Sequence, residues 1–149
     1  MPTNTVTGDE AIRRALAALP DRILRKLARK ALRVGAKVVQ AEAKADAPEG
    51  TGRTRRAIKV RAGKRRRKGS ISLAVIIGKG DFKGVDFYGA FEDFGWHTGK
   101  RGSKDRRKVE GKHFMERALA TKETEAKAVI SDQIAEGLDR EITALKQSS

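Results

Sequence analysis

Apolar residues recur at alternating steps of three and four along residues 21–46, which is the spacing of an amphipathic helix. The stripe consists of Leu24, Leu27, Ala31, Val34, Val38, Ala41 and Ala45, and Lys and Arg fill the opposite face. Asp21 is placed to cap this helix, and Pro48 and Gly50 follow its end. Gly35 lies beside the stripe at a cost of about 1 kcal/mol relative to Ala, so we expect a close contact there.

Helical spacing also appears near both ends of the chain. Before Pro20, a short apolar face of Ile12, Leu16 and Leu19 follows acidic residues that suit a helix N-terminus. After Lys112, a longer pattern predicts a C-terminal helix with a polar break at 121–125 and a bend at Gly137. Its apolar positions are Phe114, Met115, Ala118, Leu119, Ala126, Val129, Ile130, Ile134, Leu138, Ile142 and Leu145. Residues 1–8 lack such a pattern, and we expect a flexible lead there.

The pattern between these helices is typical of strands. Residues 57–61 alternate apolar and polar, and residues 70–78 are β-branched, apolar and bounded by glycine, so the two segments predict a β-hairpin with its turn at 63–69. Residues 86–94 are compatible with a short helix or a strand, and the helical spacing of their aromatics favours the helix. Residues 95–111 follow as a loop of about seventeen residues, a length that in a compact domain indicates a functional segment.

The order of these elements predicts an α+β fold in a single domain of residues 1–149. We expect long helices packed on a small antiparallel β-sheet, with a basic β-hairpin and a long loop. Six of the seven aromatic residues lie between residues 87 and 114. Because aromatic side chains bury the most apolar area, we expect the core to close in that region.

The positive charge of the chain indicates which class of molecule it is expected to bind. The formal net charge is +15, and residues 53–68 contain ten Lys or Arg and no acid. Such a field favours a polyanion. The run lacks the interleaved aromatics that stack on bases, so we expect contact with a phosphate backbone rather than with bases. The candidate contact residues form the predicted hairpin tip: Lys64, Arg65, Arg66, Arg67 and Lys68.

Few residues suggest catalysis or metal binding. Glu92 and Asp93, with Asp81 and Asp86, are candidates for the Mg²⁺ site of a nuclease, and the alternative is that they are solvated or ion-paired. His97 and His113 have no third ligand nearby in sequence, the chain has no cysteine, and no phosphate-binding glycine motif occurs. We therefore expect no enzyme, no metal and no cofactor.

Nothing in the sequence indicates a membrane. No run of residues approaches the roughly 18 apolar positions of a membrane span, and residues 1–10 lack the pattern of a signal peptide. We expect a soluble protein of a reducing cytoplasm.

The glycine-flanked loop is a candidate for contacts with other subunits. A basic run of seven Lys and Arg between residues 100 and 112 follows a tryptophan in this loop. The candidate interface residues are Trp96, Lys100, Arg101, Lys104, Arg106, Arg107 and Lys108. The alternative is that the loop and the basic hairpin are merely mobile.

Four blocks in order carry a resemblance to a known family. They are Ala45-Asp46-Ala47-Pro48 at a helix end, the turn 51–60 (TGRTRRAIKV), the block 88–95 (YGAFEDFG), and Phe114-Met115-Glu116-Arg117-Ala118. The chain resembles the neck and tail-completion family of tailed bacteriophages, typified by the tenth gene product of a lambda-like phage. Thr54 stands where that family usually has Leu, and Glu92 where it has Val.

The resemblance implies a structural virion protein of the head–tail junction, in a neck, tail-completion or tail-terminator role. It implies a homo-oligomeric ring, most often a hexamer, through which double-stranded DNA passes. The implied partners are a head connector or stopper protein and the tail tube protein, in the virion and, during assembly, in the host cytoplasm. It implies no catalytic residues. Two kinds of particle stay open, a phage and a domesticated relative that transfers host DNA. The alternative function is a free, sequence-nonspecific nucleic-acid-binding protein.

Overall fold

Two long helices and two small hairpins make up the fold in a computed structural model, which describes residues 10, 13–14, 17–50, 52–64, 67–78 and 88–147. The helices are α1 (Asp21–Asp46), α2 (Arg53–Ala57), α3 (Tyr88–Phe94) and α4 (Phe114–Gln147). The strands are β1 (Ile58–Ala62), β2 (Leu73–Ile77), β3 (Gly95–His97) and β4 (Lys108–Glu110). These elements confirm the predicted α+β class and both long helices.

The segment before α1 is described in part. Glu10, Arg13 and Arg14 are helical, in line with the predicted short helix, whereas Ile12, Leu16 and the lead at 1–8 lie outside the described residues. Leu19 is buried and joins a small core cluster with Leu27 and Leu138.

The start of α1 differs from the prediction. Pro20, with ψ of 140°, occupies the N-cap position, and no side chain caps the helix. The backbone N–H groups of Ile23 and Leu24 donate to the Pro20 carbonyl oxygen instead. The predicted cap at Asp21 was therefore wrong, because Asp21 is already the first residue of the helix.

Helices α1 and α4 pack antiparallel along their length. Leu27 faces Gly137, and Gly35 faces Ile130, so contacts run forward along one helix and backward along the other. The buried positions of α1 recur every four residues: Leu27, Ala31, Gly35, Val39 and Ala43. Those of α4 follow the same spacing, with Phe114, Ala118, Ala126 and Leu138 buried. Rows of side chains four residues apart are the ridges that most often interlock between packed helices.

This packing corrects the predicted stripe of α1. Leu27 and Ala31 are buried as expected, but Val34 and Val38 are only half-buried and Ala41 and Ala45 are exposed. Alternating steps of three and four follow a straight line along a helix, whereas a row at steps of four winds around it. Packing against α4 buries the row at steps of four, and the other apolar positions stay partly or fully exposed.

Two glycines permit the close approach of α1 and α4. A Cβ built on Gly35 would lie 2.5 Å from Ile130 Cδ1, which confirms the predicted close contact. A Cβ built on Gly137 would lie 1.9 Å from Leu27 Cδ1. Gly137 therefore serves helix packing within a helix that continues past it to Gln147.

The polar break predicted at 121–125 is absent, and α4 continues through it. The segment contains neither proline nor glycine, and two ion pairs support it. Lys122 Nζ lies 2.6 Å from Glu125 Oε2, and Lys127 Nζ lies 2.6 Å from Glu123 Oε1. Polar side chains on a solvated face do not interrupt a helix when their neighbours carry opposite charge.

The first hairpin packs near the C-terminal end of α1. Strands β1 and β2 pair antiparallel, with Ile58 opposite Ile77, which confirms the predicted hairpin. Ile58 is fully buried, and its carbonyl oxygen accepts a hydrogen bond of 2.8 Å from Gln40 Nε2 of α1. The preceding residues, expected as a plain connection, form the five-residue helix α2.

The principal core is built from small aliphatic side chains around one aromatic. Phe114 and Ile58 are completely buried, and they pack with Ala43, Ala47 and Ala118. The expectation that the aromatic region closes the core was wrong apart from Phe114. Tyr88, Phe94 and Trp96 are 61%, 65% and 42% exposed, because α3 and β3 are short elements with few neighbours to cover them.

Candidate assembly and polyanion surfaces

The β1–β2 hairpin presents its basic tip to solvent. Lys64, Arg67 and Lys68 are exposed, whereas Arg65 and Arg66 lie outside the described residues. The turn is held by Ser70, whose hydroxyl donates a 2.8 Å hydrogen bond to the Arg67 carbonyl oxygen. The three described side chains are thus presented on a turn of defined geometry.

The segment 95–111, predicted as a loop, is in part a second hairpin. Strands β3 and β4 pair antiparallel, with Trp96 opposite Val109, and the Thr98 N–H donates to the Arg107 carbonyl oxygen at 2.8 Å. Gly95, at φ +82°, lies so close to β4 that an added Cβ would meet the Val109 carbonyl oxygen at 2.3 Å. The base of this hairpin is therefore tightly packed.

The candidate interface bases lie on this second hairpin and all of them are exposed. They are Lys100, Arg101, Lys104, Arg106, Arg107 and Lys108. The positive charge of Lys108 is partly balanced by Glu110, because Lys108 Nζ lies 2.8 Å from Glu110 Oε1. The hydrogen bond from Lys108 lowers the pKa of the Glu110 carboxyl. The structure thus brings the predicted bases together on one hairpin.

Large apolar side chains are exposed on both sides of α3. Tyr88 and Trp96 border one groove together with Arg106 of the second hairpin. Phe94 and Leu119, 65% and 54% exposed, border another groove between α1, β2 and α4. Several large apolar side chains exposed around one element mark a candidate contact site for another macromolecule.

The candidate metal-binding carboxylates have structural partners. Asp93 is 2% exposed, and its Oδ1 accepts a 3.0 Å hydrogen bond from the Met115 N–H in the first turn of α4. Glu92 Oε2 accepts a 2.6 Å hydrogen bond from the Thr54 hydroxyl. Each of these two carboxylates is therefore held by a hydrogen bond within the fold.

The wider metal hypothesis has no support in the described part of the chain. Among those residues, no group of three His, Asp or Glu side chains could hold a metal ion. The other two members of the predicted cluster, Asp81 and Asp86, lie outside the described residues.

The hydrogen bond between Thr54 and Glu92 joins the two positions at which the sequence departs from the Leu and Val of the family pattern. We expect the double substitution Thr54→Leu/Glu92→Val to be tolerated better than either single change. Thr54→Leu alone leaves a half-buried carboxylate against an apolar side chain. Urea unfolding of all four proteins should give a coupling free energy of about 1 kcal/mol between the sites.

A matched pair on α4 serves as the control for this cycle. Thr124→Leu and Glu116→Val replace the same residue types at exposed positions two turns apart, so their effects should add. Additive effects at Thr54 and Glu92 as well would show that their hydrogen bond contributes nothing.

Sequence reasoning missed one basic surface, the exposed face of α1. Seven bases line it: Arg22, Arg25, Lys26, Arg29, Lys30, Arg33 and Lys37. The sequence shows Lys and Arg opposite the apolar stripe, which is ordinary for an amphipathic helix. The stronger signal is that residues 22–41 contain no Asp or Glu.

Comparisons with known proteins agree with the blocks found in the sequence. A family model described as "Bacteriophage HK97-gp10, putative tail-component" matches residues 10–95, more than half of the 149-residue chain. No curated protein and no solved structure matches the chain. In the described part of the chain, no helix is long and apolar enough to span a membrane.

Proposed function

The chain belongs to the bacteriophage HK97-gp10 family of tail components, and on that premise we propose that it is a structural protein of the virion that acts at the head–tail junction. In this proposal it is a neck, tail-completion or tail-terminator protein without enzymatic activity. Copies of the chain form a ring, most often a hexamer, between the head connector or stopper protein and the tail tube. Double-stranded DNA passes through the ring. The chain assembles in the host cytoplasm.

The exposed apolar side chains around α3 carry this proposal. Tyr88, Phe94, Trp96 and Leu119 leave large apolar areas in water, although the same chain buries Phe114 completely. In a ring, each copy covers such a surface on its neighbour. The tip of the second hairpin, with Lys100, Arg101, Lys104, Arg106, Arg107 and Lys108, lies beside Trp96 and forms the polar rim of that contact.

DNA passage is the second part of the proposal. The tip of the first hairpin, residues 64–68, is our candidate for contact with phosphate in the lumen. Its described bases, Lys64, Arg67 and Lys68, are exposed, and residues 64–68 include no aromatic residue, which favours contact with the phosphate backbone without recognition of nucleobases.

The assembly proposal is tested by the double substitution Phe94→Ser/Trp96→Ser. Both side chains are substantially exposed, so we expect the free energy of unfolding of the single chain to fall by about 1 kcal/mol at most. Ring formation and incorporation into particles should nevertheless be lost, because interface aromatics contribute most to binding. Electron microscopy and native mass spectrometry of the purified protein, and particle counts in complemented phage, provide the measurements.

The matched control is Ala128→Ser/Ala135→Ser, two exposed apolar positions on α4. This variant should assemble as the unchanged protein does. Normal rings and particles from Phe94→Ser/Trp96→Ser would contradict the proposal.

The free nucleic-acid-binding protein remains a second candidate, favoured by the clustered bases on the first hairpin. A gel shift on naked duplex DNA across a salt series separates the two functions. Nanomolar binding by the monomer at physiological salt would favour the free binding protein. Binding of roughly micromolar strength or weaker, together with incorporation into particles, would favour the head–tail protein.

A further inference from the structure

The exposed face of α1 carries unbalanced positive charge. Its seven bases, between residues 22 and 37, are all exposed. Asp21, the acid that directly precedes these bases in sequence, lies at the end of the row, where its Oδ2 is 3.8 Å from Arg25 Nη2. The next acid along the helix is Glu42. At steps of three and four residues, these bases are mostly neighbours of one another.

Helix α4 shows what an ordinary solvated face of this protein looks like. There, bases alternate with acids, as in the Lys122–Glu125, Lys127–Glu123 and Arg140–Glu136 ion pairs. Glu125 raises the pKa of the Lys122 ammonium, as expected for a favourable pair. Like charges four residues apart instead destabilise a helix. The face of α1 thus carries a repulsion that α4 avoids.

The fold places the tip of the first hairpin beside this face. Gly69 and Ile71, just after the tip bases, border one groove with Leu24, Arg25 and Ala28 of α1. Arg25 also borders the groove along the basic face itself. Two basic segments that are some 40 residues apart in sequence therefore lie next to each other in the fold.

The shape of this surface suits a long, regular polyanion. The seven Lys and Arg side chains span about 22 Å along α1, at roughly 1.5 Å per residue. That length matches about six phosphates along one strand of a DNA duplex. The helix is held from behind by α4, so the bases are presented on a rigid element. Residues 21–46 include no aromatic side chain that could stack on a base.

We propose that the exposed face of α1, extended by the adjoining tip of the first hairpin, binds the phosphate backbone of duplex DNA. The inference deepens the proposed passage of DNA and rests on it for the geometry of the ring. DNA binding by a single chain is measured independently of whether the chain forms a ring. The α1 face supplies the larger part of the contact, and the hairpin tip adds to it.

The test compares three double charge reversals in the full-length chain by fluorescence anisotropy on a labelled 30-base-pair duplex. Lys26→Glu/Arg33→Glu alters the α1 face, Lys64→Glu/Lys68→Glu alters the hairpin tip, and Lys122→Glu/Lys127→Glu on α4 is the control with the same change in net charge. We expect the α1 variant to lose at least tenfold in affinity and about 2 in the slope of log K against log salt. The tip variant should lose less, and the control less than threefold.

Thermal unfolding adds a readout that a purely structural role would not produce. The α1 variant replaces like-charge neighbours with opposite ones and should unfold at a higher temperature than the unchanged protein. The control breaks two ion pairs and should unfold at a lower temperature. An affinity gain from charge at the expense of stability is the signature of a binding surface.

Several results would overturn the inference. Equal losses of affinity in the α1 variant and the control would mean that only net charge matters. Unchanged binding in the α1 variant would remove the face from the contact. Displacement of the duplex by polyglutamate at the same charge concentration would assign the face to an acidic protein surface.

A different result would distinguish this inference from the proposed assembly. If the α1 variant loses DNA binding but still forms rings normally, the α1 face serves DNA binding and not ring formation.

Discussion

The substitution Phe114→Ala is expected to lower the free energy of unfolding by about 4 kcal/mol. Phe114 is completely buried at the start of α4 and packs against Ala43 of α1 and Ile58 of β1. It therefore connects both long helices with the first hairpin. Three of the four buried residues that share its cluster are alanines, whose side chains have no rotamers with which to fill the cavity. Urea unfolding monitored by circular dichroism measures the loss, and the melting temperature should fall by about 10 °C.

The same chemical change at Phe94 is the matched control. Phe94 is 65% exposed, so Phe94→Ala should change the free energy of unfolding by less than about 0.5 kcal/mol. Similar losses at Phe94 and Phe114 would contradict the placement of the core. The contrast also tests the assembly proposal, since Phe94 should matter for rings and Phe114 for folding.

The substitution Asp93→Ala is expected to lower the free energy of unfolding by about 2–3 kcal/mol. Asp93 Oδ1 accepts the Met115 N–H at 3.0 Å and so supplies the cap for the first turn of α4. The Asp93 carbonyl oxygen also accepts the His113 N–H at 2.9 Å, which fixes the carboxylate in position. Without the carboxylate, a backbone N–H of α4 is left in a buried environment with no acceptor. Chemical unfolding measures this cost.

Two further variants identify the cause. Asp93→Asn keeps a carbonyl oxygen for the Met115 N–H, so it should recover more than half of the loss. Asp105→Ala removes an exposed aspartate from the tip of the second hairpin and should have almost no effect. If Asp93→Asn were as damaging as Asp93→Ala, the negative charge rather than the hydrogen bond would be the important property.

The role of Asp93 shows why its chemistry was misjudged from sequence. Two adjacent acids followed by basic residues fit either a metal site or solvated side chains. What distinguishes these is the partner, which lies 22 residues further along the chain at the start of α4. A capping residue is normally recognised because it directly precedes its helix. Here the cap comes from another element, so local spacing does not reveal it.

The aromatic cluster misled for a related reason. Aromatic residues are strong predictors of burial on average. In this chain Tyr88, Phe91 and Phe94 lie on α3 and Trp96 lies on β3, elements of seven and three residues, whereas the fully buried Phe114 lies on α4. The exposure of Tyr88, Phe94 and Trp96 leaves these hydrophobic side chains available for contacts in an assembly.

The sequence by itself determined the local structure and the charge of this protein. Helical spacing predicted α1 and α4, alternation predicted the first hairpin, and four blocks in order predicted a family that the comparisons confirmed. Only the tertiary structure decided which apolar positions face inward, which carboxylates are used inside the fold, and that the tip of the first hairpin lies beside α1. The physical reason is that periodicity depends on neighbours within a few residues, whereas burial and juxtaposition depend on elements that meet only after the chain has folded.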